Sequence, residues 1–321
     1  MPQPDTFRAG SSGDVIVDLP GSPTPTAISI GDLLATEFPP REHILEPIIP
    51  TQGLVMAYGP RGTGKTHFSL GVAYAVASGS AFLGWSAPKP RGVLFLDGEM
   101  PATVIQERLA SIVSANDKQP DAPLLIVNPD LQELGTPNLS DPMHQAALEG
   151  LLEDIELIIV DNLSTLCRGG VENEAESWLP VQEWALRQRS AGRSVLFIHH
   201  AGKNGGQRGT SRREDVLDTV IALKRPSDYQ PEQGACFEVH FEKARGFHGT
   251  DAEPFEARLA TDEHGRQTWI LRSLDDSTFD KIIALHKEGL SQYEIANEVH
   301  RHKSRISRYL KKAREEGLIN D

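Results

Sequence analysis

The octapeptide Gly59-Pro60-Arg61-Gly62-Thr63-Gly64-Lys65-Thr66 matches G-x-x-x-x-G-K-[ST], and its setting decides how it is read. An apolar run of strand length, residues 54–58, precedes it, and a helix-patterned run, residues 67–77, follows. Strand, glycine-rich turn and helix in that order make a cradle for phosphate. The glycines let backbone N–H groups turn inward, and the helix N-terminus adds positive potential. Lys65 is expected to reach the β- and γ-phosphates, and the Thr66 hydroxyl to ligate Mg²⁺. Gly59, Pro60, Arg61, Gly62, Thr63, Gly64 and His67 complete the expected nucleotide-binding set. The implied ligand is a nucleoside triphosphate.

Outward from this loop, short apolar runs recur at 93–96, 124–127, 157–160 and 195–198, separated by helix-like stretches at 103–114, 143–152 and 178–190. Continuous apolar strands alternating with helices imply an α/β fold with a mostly parallel sheet covered on both faces. Runs at 216–223, 236–241 and 268–271 read as further strands in an antiparallel extension. The Pro-, Ser- and Gly-rich residues 1–28 read as a disordered tail. A polar break at 272–278 separates the domain 29–272 from a small helical domain, 279–321.

Further acids cap two of the strands. In Val93-Leu94-Phe95-Leu96-Asp97-Gly98-Glu99 a carboxylate at the carboxyl end of the strand is placed to polarise water attacking a γ-phosphate. Glu99 is preferred to Asp97 for its reach; a pair that only caps the next helix is the plain alternative. Leu157-Ile158-Ile159-Val160-Asp161 has the Walker B pattern, with Asp161 bonding a water of the Mg²⁺ shell. The strand at 194–198 ends in His199-His200, either a γ-phosphate contact or a surface pair without function.

The order GPRGTGKT, VLFLDGEMP, LIIVDNLS and VLFIHHAGK resembles the RecA-like P-loop ATPases, and more closely the plasmid RepA-type hexameric helicase group, over about residues 40–272. The resemblance implies an ATPase and DNA helicase. Lys65 and Thr66 fall on phosphate and Mg²⁺, Glu99 serves as catalytic base, Asp161 as Walker B acid, and His199 or His200 as sensor. It also implies a homo-hexameric ring with ATP between subunits, a neighbour supplying positive charge in trans, and single-stranded DNA in the channel. Lys243-Ala244-Arg245 looks like the Lys-x-Arg finger of ring-helicase ATPases, unless it is an exposed hairpin with solvated charges. Arg208, Arg212 and Arg213 compete for that role, or belong with Lys203 to a channel loop that meets DNA phosphates.

The last segment, GLSQYEIANEVHRHKSRISRYLKKAREEGLI, resembles helix-turn-helix domains that bind duplex DNA. Ser291 and Glu294 form a capping box, and Ile306, Leu310 and Ala313 share one face of the final helix. Ser304, Arg305 and Arg308 are expected toward the major groove, with Lys303, Lys311 and Lys312 on phosphates; protein docking by a basic amphipathic helix is the alternative. The function expected is a plasmid or mobile-element replicative helicase, with an ATP-switched DNA-binding regulator as the rival.

The whole-chain charge, 32 basic minus 45 acidic residues or −13, argues against indiscriminate nucleic-acid binding, yet the cations bunch in the last helix and in residues 203–213. Only Cys167 and Cys236 are present, which excludes a disulfide framework and a structural zinc site. No apolar run reaches bilayer length and no leader pattern opens the chain, so a cytoplasmic protein with no membrane partner is expected.

Overall fold

The structure, a computed structural model, describes residues 26–38, 40–169, 175–202, 214–227, 229–299 and 301–319. The described residues up to Arg41 form one unit and those from Glu42 onward a second. In the first, helix α1 (Ile30–Ala35) starts at Ser29, whose hydroxyl accepts from the Asp32 N–H. The expected tail lies outside the described residues except for 26–28.

The second unit opens with a small hairpin, β1 (His43–Leu45) and β2 (Ile49–Pro50), followed by β3 (Leu54–Gly59) and α2 (Lys65–Ser78). A second hairpin, β4 (Ala81–Phe82) and β5 (Trp85–Ser86), leads to β6 (Val93–Asp97), α3 (Ala102–Ala115) and β7 (Leu124–Val127). Then come α4 (Pro142–Leu148), β8 (Leu157–Asp161), α5 (Leu163–Leu166), α6 (Ala175–Ser190), β9 (Ser194–His200) and β10 (Thr219–Lys224). Three strands follow, β11 (Cys236–Ala244), β12 (Phe255–Thr261) and β13 (Gln267–Ser273). The chain closes with α7 (Leu274–Lys287), α8 (Gln292–Glu298) and α9 (Lys303–Glu315).

One nine-stranded sheet organises the unit in the order β13-β12-β11-β10-β3-β9-β8-β6-β7. The strands from β10 to β7 all run parallel. β3, β6, β8 and β9 are buried along their whole length, which is why each reads as an unbroken apolar run. Alternation still operates inside those runs. Val55 and Ala57 pack with Phe68 and Ala73 of α2 and Ile105 of α3; Leu54, Met56 and Tyr58 pack on the opposite face with Val181 and Trp184 of α6. Being enclosed by this packing, α2 is apolar all round rather than striped.

Two sequence expectations need correction. The run at 216–223 does not belong to the antiparallel extension: β10 pairs parallel with β3, and the antiparallel part begins only with β11. The helical segment starts inside the break at 272–278 rather than after it. Ser273 ends β13 and caps α7 by accepting from the Asp276 N–H, and Asp275 and Asp276 fill the first turn. Such residues favour a helix N-terminus, so their polarity marked a helix start.

Helices α7, α8 and α9 enclose a core of their own, including Phe279, Ile282, Ile295, Ile306, Leu310 and Ala313. Ser291 and Glu294 form both bonds of the capping box. No helix among the described residues is long and apolar enough to cross a membrane.

Candidate nucleotide site

The carboxyl ends of β3, β6, β8 and β9 meet the N-terminus of α2 around a cleft of about 720 Å³. Between β3 and α2 the chain makes the quoted glycine loop. Gly62 (φ 71°) and Gly64 (φ 105°) hold conformations that side chains resist. A second constraint is space: a Cβ on Gly59 would meet the Leu223 carbonyl at 2.4 Å, and one on Gly64 would meet Ala235 and Phe237 at 3.3 Å. The phosphate loop is thus pressed against the β10–β11 side of the sheet.

Lys65 is buried, and its Nζ donates to the carbonyls of Gly59 (3.0 Å) and Pro60 (2.7 Å). Burial lowers its pKa, opposed by the charges of Asp161 and Glu99. Asp161, wholly enclosed at the end of β8, accepts from Ser69 Oγ at 2.8 Å and from the Thr66 hydroxyl. Burial pushes its pKa up to about 6, with Asp97 adding to the rise and Ser69 opposing it. Arg61, Gly62, Gly64, Thr66 and His67 also line the cleft; Thr63 turns inward, its hydroxyl donating to the Pro60 carbonyl at 2.7 Å.

The two acids after β6 separate by environment. Asp97 is buried and occupied, accepting from the N–H groups of Glu99 (3.1 Å) and Met100 (3.2 Å) and from Asn128 Nδ2 (2.6 Å). Glu99 stands in the cleft with its carboxylate partly exposed and Oε1 at 3.5 Å from His200 Nε2. An acid already spent on fixing its own loop is a poor base, whereas Glu99 is open to water. His200 lines the cleft; His199, the next residue along β9, does not. Burial and the nearby Lys65 lower the His200 pKa, with Glu99 opposing.

The structure adds residues that sequence reasoning passed over. Arg108 of α3 reaches the cleft; burial lowers its pKa, and the charges of Asp161 and Asp97 oppose this. From the β10–β11 connection come Tyr229, Gly234 and Ala235. Arg225 Nη2 donates to the carbonyls of Arg61 (3.3 Å) and Gly62 (3.1 Å), and its guanidinium lies 4.6 Å from the Tyr229 ring centroid.

These residues fit a nucleoside triphosphate with a divalent ion. Lys65, Arg61 and Arg108 supply positive charge beside a helix N-terminus, and Thr66 and buried Asp161 offer hard oxygen ligands. Among the described residues no cluster of three or more His, Cys, Asp or Glu suits a metal. An ion here therefore needs phosphate and water to complete its shell, as Mg²⁺ commonly does.

Residues 22–206 match the AAA domain family AAA_25, more than half of the chain. The chain belongs to that family. With the loop, Walker acid and cleft described above, it is a P-loop ATPase domain whose family uses ATP and Mg²⁺. Among solved structures, a KaiC-like protein from the hyperthermophilic archaeon Pyrococcus horikoshii OT3 is similar at 16% identity, over 72% of this chain and 94% of that one, with a TM-score of 0.48.

The remaining expected site residues lie elsewhere. Lys243 and Arg245 stand at the end of β11, which runs antiparallel to β10, with Val220 opposite Lys243. That is the amino end of β10 and β3, across the sheet from the phosphate loop. Lys243 Nζ donates to the Glu214 carbonyl, and Arg245 Nη2 to that of Asp215 at 3.4 Å. Lys203, Arg208, Arg212 and Arg213 lie outside the described residues.

On α9, Ser304, Arg308 and Lys311 are exposed opposite the buried Ile306, Leu310 and Ala313. Lys303, in the first turn, is exposed as well. Arg305 is also engaged within the domain: its Nη2 donates to Asp275 Oδ1 at 2.7 Å and its Nε to the Tyr309 hydroxyl at 3.2 Å, which braces α9 against α7 while the side chain stays partly exposed. Lys312 lies against the Phe279 ring at 4.7 Å.

One pH effect follows from the cleft. Burial and the neighbouring Arg108 depress the His67 pKa from 6.5 to about 4. Between those values the unfolded chain binds more protons, so this stabilisation is complete above pH 6.5 and is lost as pH falls toward 4. Asp161, with its raised pKa, works in the opposite sense, so only a variant isolates the histidine. Chemical denaturation at pH 7 and pH 5 is expected to show His67→Gln losing less stability than wild type, by up to about 2 kcal/mol. Equal losses would contradict the assignment.

Proposed function

We propose that this P-loop ATPase is a DNA motor, a replicative helicase of a plasmid or other mobile element, that hydrolyses ATP at the subunit interfaces of a homo-hexameric ring. The observation that carries this reading is the placement of Lys243 and Arg245 across the sheet from the chain's own phosphate loop. A Lys-x-Arg pair there cannot serve its own cleft, and a head-to-tail neighbour brings it to the next one.

Within the cleft, Glu99 orients and deprotonates the attacking water, and Lys65 and Arg108 stabilise the charge that develops on the γ-phosphoryl oxygens. His200, beside Glu99, is placed to register loss of the γ-phosphate. Thr66 and Asp161 would hold Mg²⁺, directly or through water, and the ion would neutralise phosphate charge there. Single-stranded DNA is assigned to the segment containing Lys203, Arg208, Arg212 and Arg213.

The three C-terminal helices act as a helix-turn-helix that recruits the motor to duplex DNA through Lys303, Ser304, Arg308 and Lys311 on the outward side of α9. Arg308→Ala and Lys311→Ala are each expected to flatten the slope of log affinity against log salt by about 1. Fluorescence anisotropy over a salt series checks this; an unchanged slope in both variants removes α9 from the DNA interface.

The motor reading is tested by the ATPase rate without DNA, with single strands and with duplex. Stimulation by single strands is expected, and no response to them rejects it. A second reading, an ATP-switched duplex-binding regulator that never unwinds, is favoured by the bond between Lys281 of α7 and Ser227, in the segment that borders the cleft. Duplex affinity that follows the bound nucleotide, with no response to single strands, would select it.

A further inference from the structure

The segment between β10 and β11 touches both ends of the molecule's chemistry. At Arg225 it holds the phosphate loop, through the carbonyls of Arg61 and Gly62. Two residues later, Ser227 Oγ accepts from Lys281 Nζ of α7 at 3.0 Å. α7 in turn carries Asp275, which receives Arg305 of α9, and its Asp280 pairs with Arg272 of β13 at 2.9 Å. The close fit extends along the segment: a Cβ on Gly62 would stand 3.3 Å from Arg225 Nη2, and one on Gly64 at 3.3 Å from Ala235. Tyr229, Gly234 and Ala235 of the same segment line the cleft itself.

We infer that residues 225–235 transmit nucleotide occupancy to the C-terminal helices, with Lys281–Ser227 as the mechanical joint. The inference rests on the phosphate-site reading and is independent of what the helices bind. A nucleotide that shifts the phosphate loop displaces Arg225, because the guanidinium is bonded to that loop's own carbonyls. Displacement at Arg225 is passed through Pro226 to Ser227 and from there to α7. Contiguous contacts alone do not establish coupling; a difference in the energy of the two states does.

Amide hydrogen exchange of the full chain, without nucleotide and with Mg²⁺ and a non-hydrolysable ATP analogue, measures it directly. In wild type, protection is expected to change at the phosphate loop, in 225–235 and in α7 (Leu274–Lys287) together. In Lys281→Gln and in Ser227→Ala, the first two responses persist and the α7 response is lost. Both altered side chains lie outside the cleft, so a changed nucleotide affinity in the variants reads the coupling itself; about fivefold is the scale of an ordinary one. An α7 that ignores the analogue in wild type, or that responds fully in both variants, overturns the inference. Absence of any response at the phosphate loop instead refutes the nucleotide site, a result readily told apart.

Discussion

Lys65→Ala is expected to lower the ATP hydrolysis rate by about 10²-fold or more, since a preorganised cation on transferring phosphoryl oxygens acts most strongly in the transition state. The ammonium is buried and held by the carbonyls of Gly59 and Pro60, so its position is set before nucleotide arrives. Two carboxylates, Asp161 and Glu99, favour its charged form. Removing it leaves Asp161 facing the cleft with less positive charge to offset it, which also weakens binding of the triphosphate. A steady-state phosphate-release assay reads the effect. Hydrolysis at the wild-type rate would overturn the assignment of the phosphate site.

Arg245→Ala is expected to lose about 10³-fold in hydrolysis, the scale associated with an arginine supplied in trans. Its interest lies in mixing. If the phosphate loop of one copy meets Arg245 of the next, an assembly co-expressed from Lys65→Ala and Arg245→Ala chains contains intact interfaces. One subunit then contributes its lysine and its neighbour the arginine. Random assembly places such a pairing at about a quarter of interfaces, so the mixed preparation regains activity that neither parent has. No regain, with both parents inactive, would mean that Arg245 acts within its own chain or only supports the fold. Full activity in Arg245→Ala would pass the role to the arginines of residues 203–213.

The parts legible in the sequence were those whose chemistry is local. A glycine loop between strand and helix, an apolar run tipped by Asp161 and a capping box at Ser291 each carry their signal within a few residues. Glu99 was preferred to Asp97 by reach; in the structure Asp97 is held by Asn128 and two backbone N–H groups, while Glu99 lines the cleft. Arg108 was not legible, because a lone arginine in the middle of α3 reads as an ordinary solvated face. Ser69 and Arg225 escaped notice for another reason. Their roles depend on long-range pairings, α2 beside β8 and β10 beside β3, that no short window encodes.

β12 was missed because it is only partly buried, its sequence FEARLAT lacking the β-branched apolar run of the inner strands. The start of α7 was placed after the polar break, since the residues that cap a helix are themselves polar. Arg305 was expected toward the major groove from the helix-turn-helix resemblance, and only the position of α7 reveals Asp275 as its partner.

In the proposed motor, ATP hydrolysis in this cleft drives movement along DNA. Strand separation of a tailed duplex by wild type, beside Glu99→Gln, is the decisive measurement. Glutamine keeps the shape of the side chain but cannot accept the proton of the attacking water, so nucleotide binding is expected to persist while hydrolysis falls by about 10²- to 10⁴-fold. Wild type is predicted to unwind the duplex only with ATP and Mg²⁺, and Glu99→Gln to bind DNA and ATP without unwinding. Unwinding at the same rate by both proteins, or by neither when wild type hydrolyses ATP normally, would contradict the account.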